Sequence, residues 1–165
     1  MKKTLFLLFS WMLLGLIPAW GQNQDSKEIS QELLMKYCWE YTGPCNLGEG
    51  VTHFLIFTES EQINYFFEKG VEVEKDVFRY YLSDHNVGVF DESKVGKVKK
   101  GRFIVIKEDG FVDIKETLNA ISYEPFEFSE QKLILAPRSK HLNRTYPTDD
   151  YIARPLNYLD GKIKK

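Results

Sequence analysis

Apolar and polar side chains alternate with a period of two along most of the chain from Tyr37 onwards, which is the pattern of half-buried β-strands. Short turn-like segments separate the alternating stretches, and no helix long enough for a parallel crossover lies between them. Parallel α/β folds are therefore excluded, and a β-sandwich or an up-and-down β-barrel remains. The pattern predicts eight strands: Tyr37–Thr42, Thr52–Thr58, Gln62–Glu68, Val71–Ser83, Arg102–Lys107, Phe111–Lys115, Ser122–Phe128 and Lys132–Leu135.

Several of these strands carry bulky apolar groups on one side only. Ile63, Tyr65 and Phe67 alternate with more polar neighbours, and Phe126 and Phe128 share one parity in a later strand. Strands with one solvent-exposed face and one buried face fit a sheet that is closed around an interior. Because the connections are short, we predict an all-β fold, an eight-stranded antiparallel up-and-down barrel with a short N-terminal helix.

The N-terminal helix is predicted from the segment before the first strand. Asp25 or Ser26 is suited to cap a helix in which Ile29, Leu33 and Leu34 lie on one side. The leader and this helix occupy residues 22–36 in this interpretation.

The predicted barrel covers residues 37–138, and a C-terminal extension follows at 139–165. Within the extension, Tyr146–Arg154 either adds a ninth strand or packs across the barrel. The final residues, Asp160–Lys165, are expected to fray.

The first 21 residues have the organisation of a secretory signal peptide. Two lysines precede an apolar stretch at 5–17, and the small residues Ala19 and Gly21 stand three and one positions before Gln22. The stretch is shorter than the ~20 apolar residues of a membrane-spanning helix, so we expect cleavage before Gln22 and no transmembrane segment in the mature form. No cysteine lies near the cut. We therefore expect a periplasmic or secreted protein without a lipid anchor.

Charge and motif content narrow the function classes. The formal net charge is −2, and 20 basic against 24 acidic residues remain without the first 21 residues, which is unfavourable for binding nucleic acid. No H-E-x-x-H, P-loop, G-x-S-x-G or G-x-G-x-x-G motif occurs, so we predict no enzyme, no metal and no cofactor. His53, among apolar neighbours in the second strand, is expected to be a half-buried histidine with its hydrogen bonds satisfied.

A basic cluster lies between the fourth and fifth predicted strands. It comprises Lys94, Lys97, Lys99, Lys100 and Arg102. The cluster is interpreted as a solvated loop, and binding of an anionic glycan or a lipid head group is the alternative.

The two cysteines are predicted to form a disulfide. Cys38 and Cys45 flank Gly43 and Pro44, which favour a chain reversal, and an exported protein meets an oxidising environment. Strand alternation places Cys38 on the face opposite Trp39, so the bridge would lie outside the barrel. A redox or metal site is the alternative.

Several segments, taken together with the helix that leads into Trp39 and the eight-strand order, carry a resemblance to a known family. They are Tyr80-Tyr81-Leu82-Ser83-Asp84, Phe90-Asp91, Lys94-Val95-Gly96, Gly101–Val105 and the Phe128–Leu133 hairpin. The pattern resembles a lipocalin-like (calycin-type) small β-barrel domain of exported bacterial proteins, over about residues 26–138.

This resemblance implies a cup for a small apolar molecule, closed at one end by the N-terminal helix and Trp39. It also implies that a basic residue near the end of the last strand, here Arg138, stacks on Trp39 in a structural cation–π contact.

Two function classes follow. The first is a non-catalytic carrier of a small hydrophobic ligand, and the alternative is an envelope interaction or structural module whose barrel is filled by its own side chains. In a carrier, the lining is predicted from the apolar parity of the central strands. The predicted ligand-binding residues are Tyr65, Phe67, Phe78, Tyr80, Leu82, Phe126 and Phe128. The sequence identifies neither the ligand nor any protein partner.

Overall fold

A computed structural model describes residues 28–45, 47–108, 119–138 and 147–163. The predicted signal peptide and the predicted strand Phe111–Lys115 lie outside the described residues. The described strands and the α-helix are β1 Ile29–Ser30, α1 Gln31–Lys36, β2 Tyr37–Tyr41, β3 Val51–Phe57, β4 Glu61–Glu68, β5 Val71–Ser83, β6 Lys100–Gly101, β7 Phe103–Lys107, β8 Ala120–Phe128, β9 Lys132–Arg138 and β10 Asp149–Pro155. Short 3₁₀ helices span Glu92–Lys94 and Leu156–Leu159.

Eight of the strands close into an antiparallel barrel in the order β10-β2-β3-β4-β5-β7-β8-β9. The predicted eight-stranded antiparallel barrel is therefore confirmed, and the sandwich is not formed. The closing strand is β10, in which Ala153 pairs with Trp39 of β2 and Tyr151 pairs with Leu133 of β9. Because closure requires β10, the predicted barrel boundary at residue 138 is too early.

The helix α1 begins later than a cap at Asp25 or Ser26 predicts. Ile29 and Ser30 instead pair with β6 as a two-residue strand. The Ser30 hydroxyl then accepts a hydrogen bond from the Leu33 N–H at 3.5 Å, which makes Ser30 the N-cap.

One end of the barrel interior is filled by side chains under α1. The Trp39 indole is fully buried and donates through Nε1 to the Leu34 carbonyl at 2.9 Å, which joins the barrel to the helix. We call this end the packed half and define it by its large buried interior side chains. They are Leu34, Trp39, Phe57, Tyr80, Leu82, Phe128 and Leu133.

Apolar side chains also cover parts of the barrel's outer surface. One outer cluster comprises Cys38, Phe54, Tyr65, Phe67 and Leu159. Leu159 comes from the C-terminal 3₁₀ helix, so the chain after β10 folds back over β3 and β4. The second outer cluster comprises Tyr81, Phe90, Phe103, Val105 and Ala120. Strands covered in this way are apolar on their outward side as well, and their alternation no longer identifies the inward side.

Candidate functional site

The barrel end opposite α1 contains a cavity of about 280 Å³, close to the lower end of the roughly 300–1,000 Å³ typical of small-molecule pockets. We call this end the open half. Its lining combines polar and aromatic groups with a few aliphatic ones. The lining residues are Tyr41, Cys45, Leu47, His53, Leu55, Gln62, Asn64, Phe66, Glu74, Asp76, Ile106, Tyr123, Leu135, Asp149 and Tyr151.

Four neighbouring strands contribute an aromatic wall to this cavity. Tyr151 of β10, Tyr41 of β2, His53 of β3 and Phe66 of β4 follow one another around the barrel. The His53 and Phe66 rings are stacked at 4.5 Å, because the two residues are directly paired across β3 and β4. Tyr41 lies 5.7 Å from His53 and 5.4 Å from Tyr151, centroid to centroid. The wall is thus one continuous aromatic surface.

Two polar atoms at the cavity are buried without a hydrogen-bond partner in the described structure, Nε2 of His53 and Oε1 of Gln62. The Gln62 side chain is only 6% exposed, and its Nε2 donates to Asn64 Oδ1 at 3.3 Å. The expectation that His53 has all its hydrogen bonds satisfied is therefore wrong. Buried polar side-chain atoms usually find partners, so this pair marks the open half as a candidate site.

Among the described lining residues of the cavity, all the charged side chains are carboxylates. Glu74 and Asp76 come from β5, and Asp149 comes from β10. These strands are four places apart in a ring of eight, so the carboxylates face the cavity from opposite walls. Burial, followed by the charge of Asp150, raises the pKa of Asp149.

The Tyr123 and Tyr151 phenols and the His53 imidazole are uncharged at neutral pH and are available for hydrogen bonds. Burial, then the charges of Asp149 and Glu108, raises the pKa of Tyr123 to about 12. Burial, followed by Asp149, also raises the pKa of Tyr151. Both phenols remain potential donors. Burial lowers the pKa of His53 in spite of its hydrogen bond to Asn64, so the imidazole is neutral at pH 7.

None of the seven predicted ligand-binding residues lines the cavity. Tyr65 and Phe67 point outwards and pack in the cluster under Leu159, whereas Gln62, Asn64 and Phe66 of the same strand point inwards. The prediction of an inward-facing Tyr65 and Phe67 is wrong, because the more apolar side of β4 faces outwards and is covered by the C-terminal segment.

The other predicted lining residues divide into two groups. Phe78, Tyr80, Leu82 and Phe128 do face the interior, where they belong to the core of the packed half or pack against it. Phe126 is 40% exposed, since the register of β8 and β9 shifts between Pro125 and Glu127 and leaves it outside the pairing.

Trp39 and Arg138 do not form the predicted contact. Arg138 pairs with Ser122 at the open end of β9, whereas Trp39 lies in the packed half. The Arg138 guanidinium instead lies 5.4 Å from the Phe126 ring, and Arg138 Nε donates to Glu124 Oε2 at 2.6 Å. The predicted stacking is therefore wrong, and Trp39 instead lies under α1, where its Nε1 donates to the Leu34 carbonyl.

The predicted disulfide is not formed either. Both cysteines are free thiols. Cys38 is buried in the outer cluster beside Leu159, and its Sγ donates to the Pro155 carbonyl at 3.4 Å, whereas Cys45 lines the cavity. The two side chains lie on opposite faces of the barrel wall, which prevents the bond.

The basic cluster has acidic and polar partners of its own. Lys94 Nζ lies 3.7 Å from Asp91 Oδ2, and Lys100 Nζ lies 3.4 Å from Glu28 Oε2. Lys99 Nζ donates to the Gln31 side chain at 2.8 Å. These lysines do not line the cavity.

The comparisons with known proteins return no assignment for this site. No protein-family model, curated protein or solved structure matches the chain. Within the described ranges, no group of three or more His, Cys, Asp and Glu side chains is arranged to hold a metal ion. The same ranges contain no helix that is long and apolar enough to cross a membrane.

Proposed function

We propose that the protein is a non-catalytic binding protein that holds a small organic molecule with polar groups in the open half of its barrel. One observation carries the proposal: the cavity of about 280 Å³ is lined by His53 and Gln62, each of which has a buried polar atom without a partner among the described residues. An unsatisfied buried group costs about 1–3 kcal/mol, and a ligand that bonds to it removes this cost.

The chemistry of the lining supports a ligand different from the predicted hydrophobic one. Leu55, Ile106 and Leu135 provide an apolar floor, but carboxylates, amides and phenols surround it. A purely apolar ligand would bury these groups without hydrogen bonds, which is unfavourable. A molecule with an apolar body and polar substituents fits both parts of the lining.

Native mass spectrometry of the purified chain tests the binding function. We expect a co-purified small molecule in the native spectrum that disappears on denaturation. Asn64→Phe, which fills the cavity from β4, should abolish it. The control Val77→Phe adds the same ring on the outer face of β5, where Val77 is 49% exposed, and should leave it unchanged.

The alternative is the interaction module with a filled barrel. It is favoured if neither the native spectrum nor a thermal-shift screen of small polar molecules reveals a ligand for the wild-type chain, or if Asn64→Phe and Val77→Phe behave alike. The packed half already has the filled interior that this alternative requires.

We further infer that the barrel is lipocalin-like and that the protein is exported. The closed eight-stranded antiparallel barrel is compatible with that class of fold and supports the resemblance of residues 26–138. The N-terminal sequence pattern supports export. N-terminal sequencing of the protein recovered outside the cytoplasm should begin at Gln22, and a protein that still begins at Met1 would contradict the inference.

A further inference from the structure

We propose that the ligand of the open half is an organic cation that carries an ammonium group. This inference rests on the binding function proposed above and specifies the chemistry of the ligand. Three independent properties of the cavity lead to it: the sign and placement of its charges, an unpartnered acceptor, and its aromatic wall.

The charges favour a cation that lies between two walls. Asp76 of β5 and Asp149 of β10 face the cavity from opposite strands, and no lysine or arginine is among the described lining residues. Carboxylates that lack a positive partner repel an anion and attract a cation most strongly where solvent is excluded. The neutral His53 imidazole does not offset them. A positively charged ligand would therefore supply a counter-charge that none of the described lining residues provides.

The acceptor on Gln62 is the second property. Gln62 lines the cavity with a side chain that is only 6% exposed, and its Oε1 is buried without a donor among the described residues. Nε2 of the same amide donates to Asn64 Oδ1 at 3.3 Å. An ammonium group offers up to three donors and no acceptor, which matches one amide oxygen and nearby carboxylates. An anion or an ether oxygen would leave Gln62 Oε1 unpartnered.

The aromatic wall is the third property. Tyr41, Phe66 and Tyr151 surround the neutral ring of His53 with centroid separations of 4.5–5.9 Å. The faces of such rings carry negative electrostatic potential and attract ammonium groups, as aromatic cages do. The wall also accepts an apolar ligand body, so a cation with an alkyl or aryl group fits it better than an inorganic ion.

Calorimetric titration of the full chain with three probes of one carbon skeleton tests the charge. The probes are 2-phenylethylamine, 2-phenylethanol and phenylacetate. We expect the amine to bind at least about tenfold more tightly than the alcohol, and phenylacetate not to bind. Equal or tighter binding of the alcohol or of phenylacetate overturns the proposal, and so does displacement of the amine by Mg²⁺ or Ca²⁺ alone.

Two isosteric variants locate the effect. Asp76→Asn and Asp149→Asn should each weaken amine binding by about tenfold and change alcohol binding by less than about twofold. Asp84→Asn removes the same charge from an exposed turn outside the cavity and serves as the control. An unchanged amine affinity in both cavity variants, with their melting temperatures retained, overturns the proposal.

The failures of the two proposals are distinguishable. If the alcohol binds as well as the amine, the charge assignment is wrong and the binding function stands. If no probe binds and no molecule co-purifies with the protein, both proposals are wrong.

Discussion

Two of the described glutamines are buried, Gln31 of α1 beside the packed half and Gln62 of β4 in the open half, and they differ in how their amides are bonded. In the packed half, Gln31 is 3% exposed, its Nε2 donates to the Glu59 carbonyl at 2.8 Å and to the Tyr80 hydroxyl at 3.2 Å, and its Oε1 accepts from Lys99. In the open half, Gln62 is 6% exposed, but its Oε1 has no described partner. Residue type and burial are nearly equal, so the surroundings account for the difference.

This difference separates a structural end from a binding end within one sheet. The hydrogen bonds of Gln31 join α1 to the β3–β4 turn and to Tyr80, and its amide is partnered at both ends, as a structural group requires. The groups around Gln62 are held by the same strands but border a cavity. Strands fixed by packing at one end can hold side chains in place at the other, which is the arrangement that a binding site on a rigid scaffold needs.

Truncation of a large ring in each half should give the largest contrast. Trp39→Ala removes a fully buried ring from the packed half, and we expect a loss of about 3–5 kcal/mol in the free energy of unfolding. Phe66→Ala should cost less than about 2 kcal/mol, because the Phe66 ring is partly exposed and borders an existing cavity. Urea denaturation measures both. Equal losses would contradict the division into a packed and an open half.

Replacement of each glutamine by methionine tests the two hydrogen-bonding environments separately. Gln31→Met breaks three hydrogen bonds, one of them to a lysine, and should cost about 1–3 kcal/mol of stability. Gln62→Met removes an unpartnered acceptor at the expense of one bond to Asn64, so its stability should stay within about 1 kcal/mol of the wild type.

Ligand affinity should respond in the opposite order. Gln62→Met should weaken binding of 2-phenylethylamine, and Gln31→Met should leave it unchanged in protein that remains folded. If Gln62→Met destabilises the protein as much as Gln31→Met, then Oε1 of Gln62 has a structural partner and the comparison fails.

The sequence predicted the positions of the strands better than it predicted which side of each strand faces the barrel interior. Local alternation was enough to place most of the strands and to predict a closed antiparallel barrel. The inward side of β4 was predicted wrongly, because Tyr65 and Phe67 are covered by Leu159. That residue lies far along the chain, and a local pattern carries no information about such a contact.

Other features of the site depend on geometry that spacing does not show. Phe126 left its expected parity through a register shift in β8, and β10 closed the barrel from beyond the predicted boundary. The polar side of β4, with Gln62 and Asn64, is visible in the sequence, but the same pattern is also typical of a solvent-exposed outer face. A run of such residues opposite an acidic strand was the one available signal for a polar cavity.

The two thiols extend the comparison from the interior to the outer surface. Burial raises the pKa of Cys38 to about 11, and the side chain is fully buried, whereas Cys45 is partly exposed at the cavity. Iodoacetamide should therefore modify Cys38 at least about tenfold more slowly than Cys45, because the thiolate is the reacting form.

Peptide mass mapping over a time course measures the two rates without reductant. Unfolding in urea should make the rates similar, which controls for local sequence. Protein that shows no free thiol until a reductant is added would contradict the structure and support the predicted disulfide.

The smallest expected effect concerns the stability of the open half as a function of pH. Burial raises the pKa of Asp149 above its ordinary value of 3.8, so between that value and the raised pKa the folded protein binds more protons than the unfolded chain. Stability contributed by this group therefore falls as pH rises through the window. Asp149→Asn removes the dependence, and we expect the variant to be more stable than the wild type at pH 7 by less than about 1 kcal/mol, since Asp149 is partly exposed. The advantage should shrink as pH falls towards 3.8. Urea denaturation of both proteins across this range measures it, with Asp84→Asn showing what the loss of one negative charge contributes elsewhere.

A saturating ammonium ligand should reverse the order of stability, because it stabilises only the protein that retains the carboxylate. A variant that is less stable than the wild type at pH 7 without ligand would mean that Asp149 has a favourable partner. The buried polar groups of the open half would then be as fully partnered as those of the packed half.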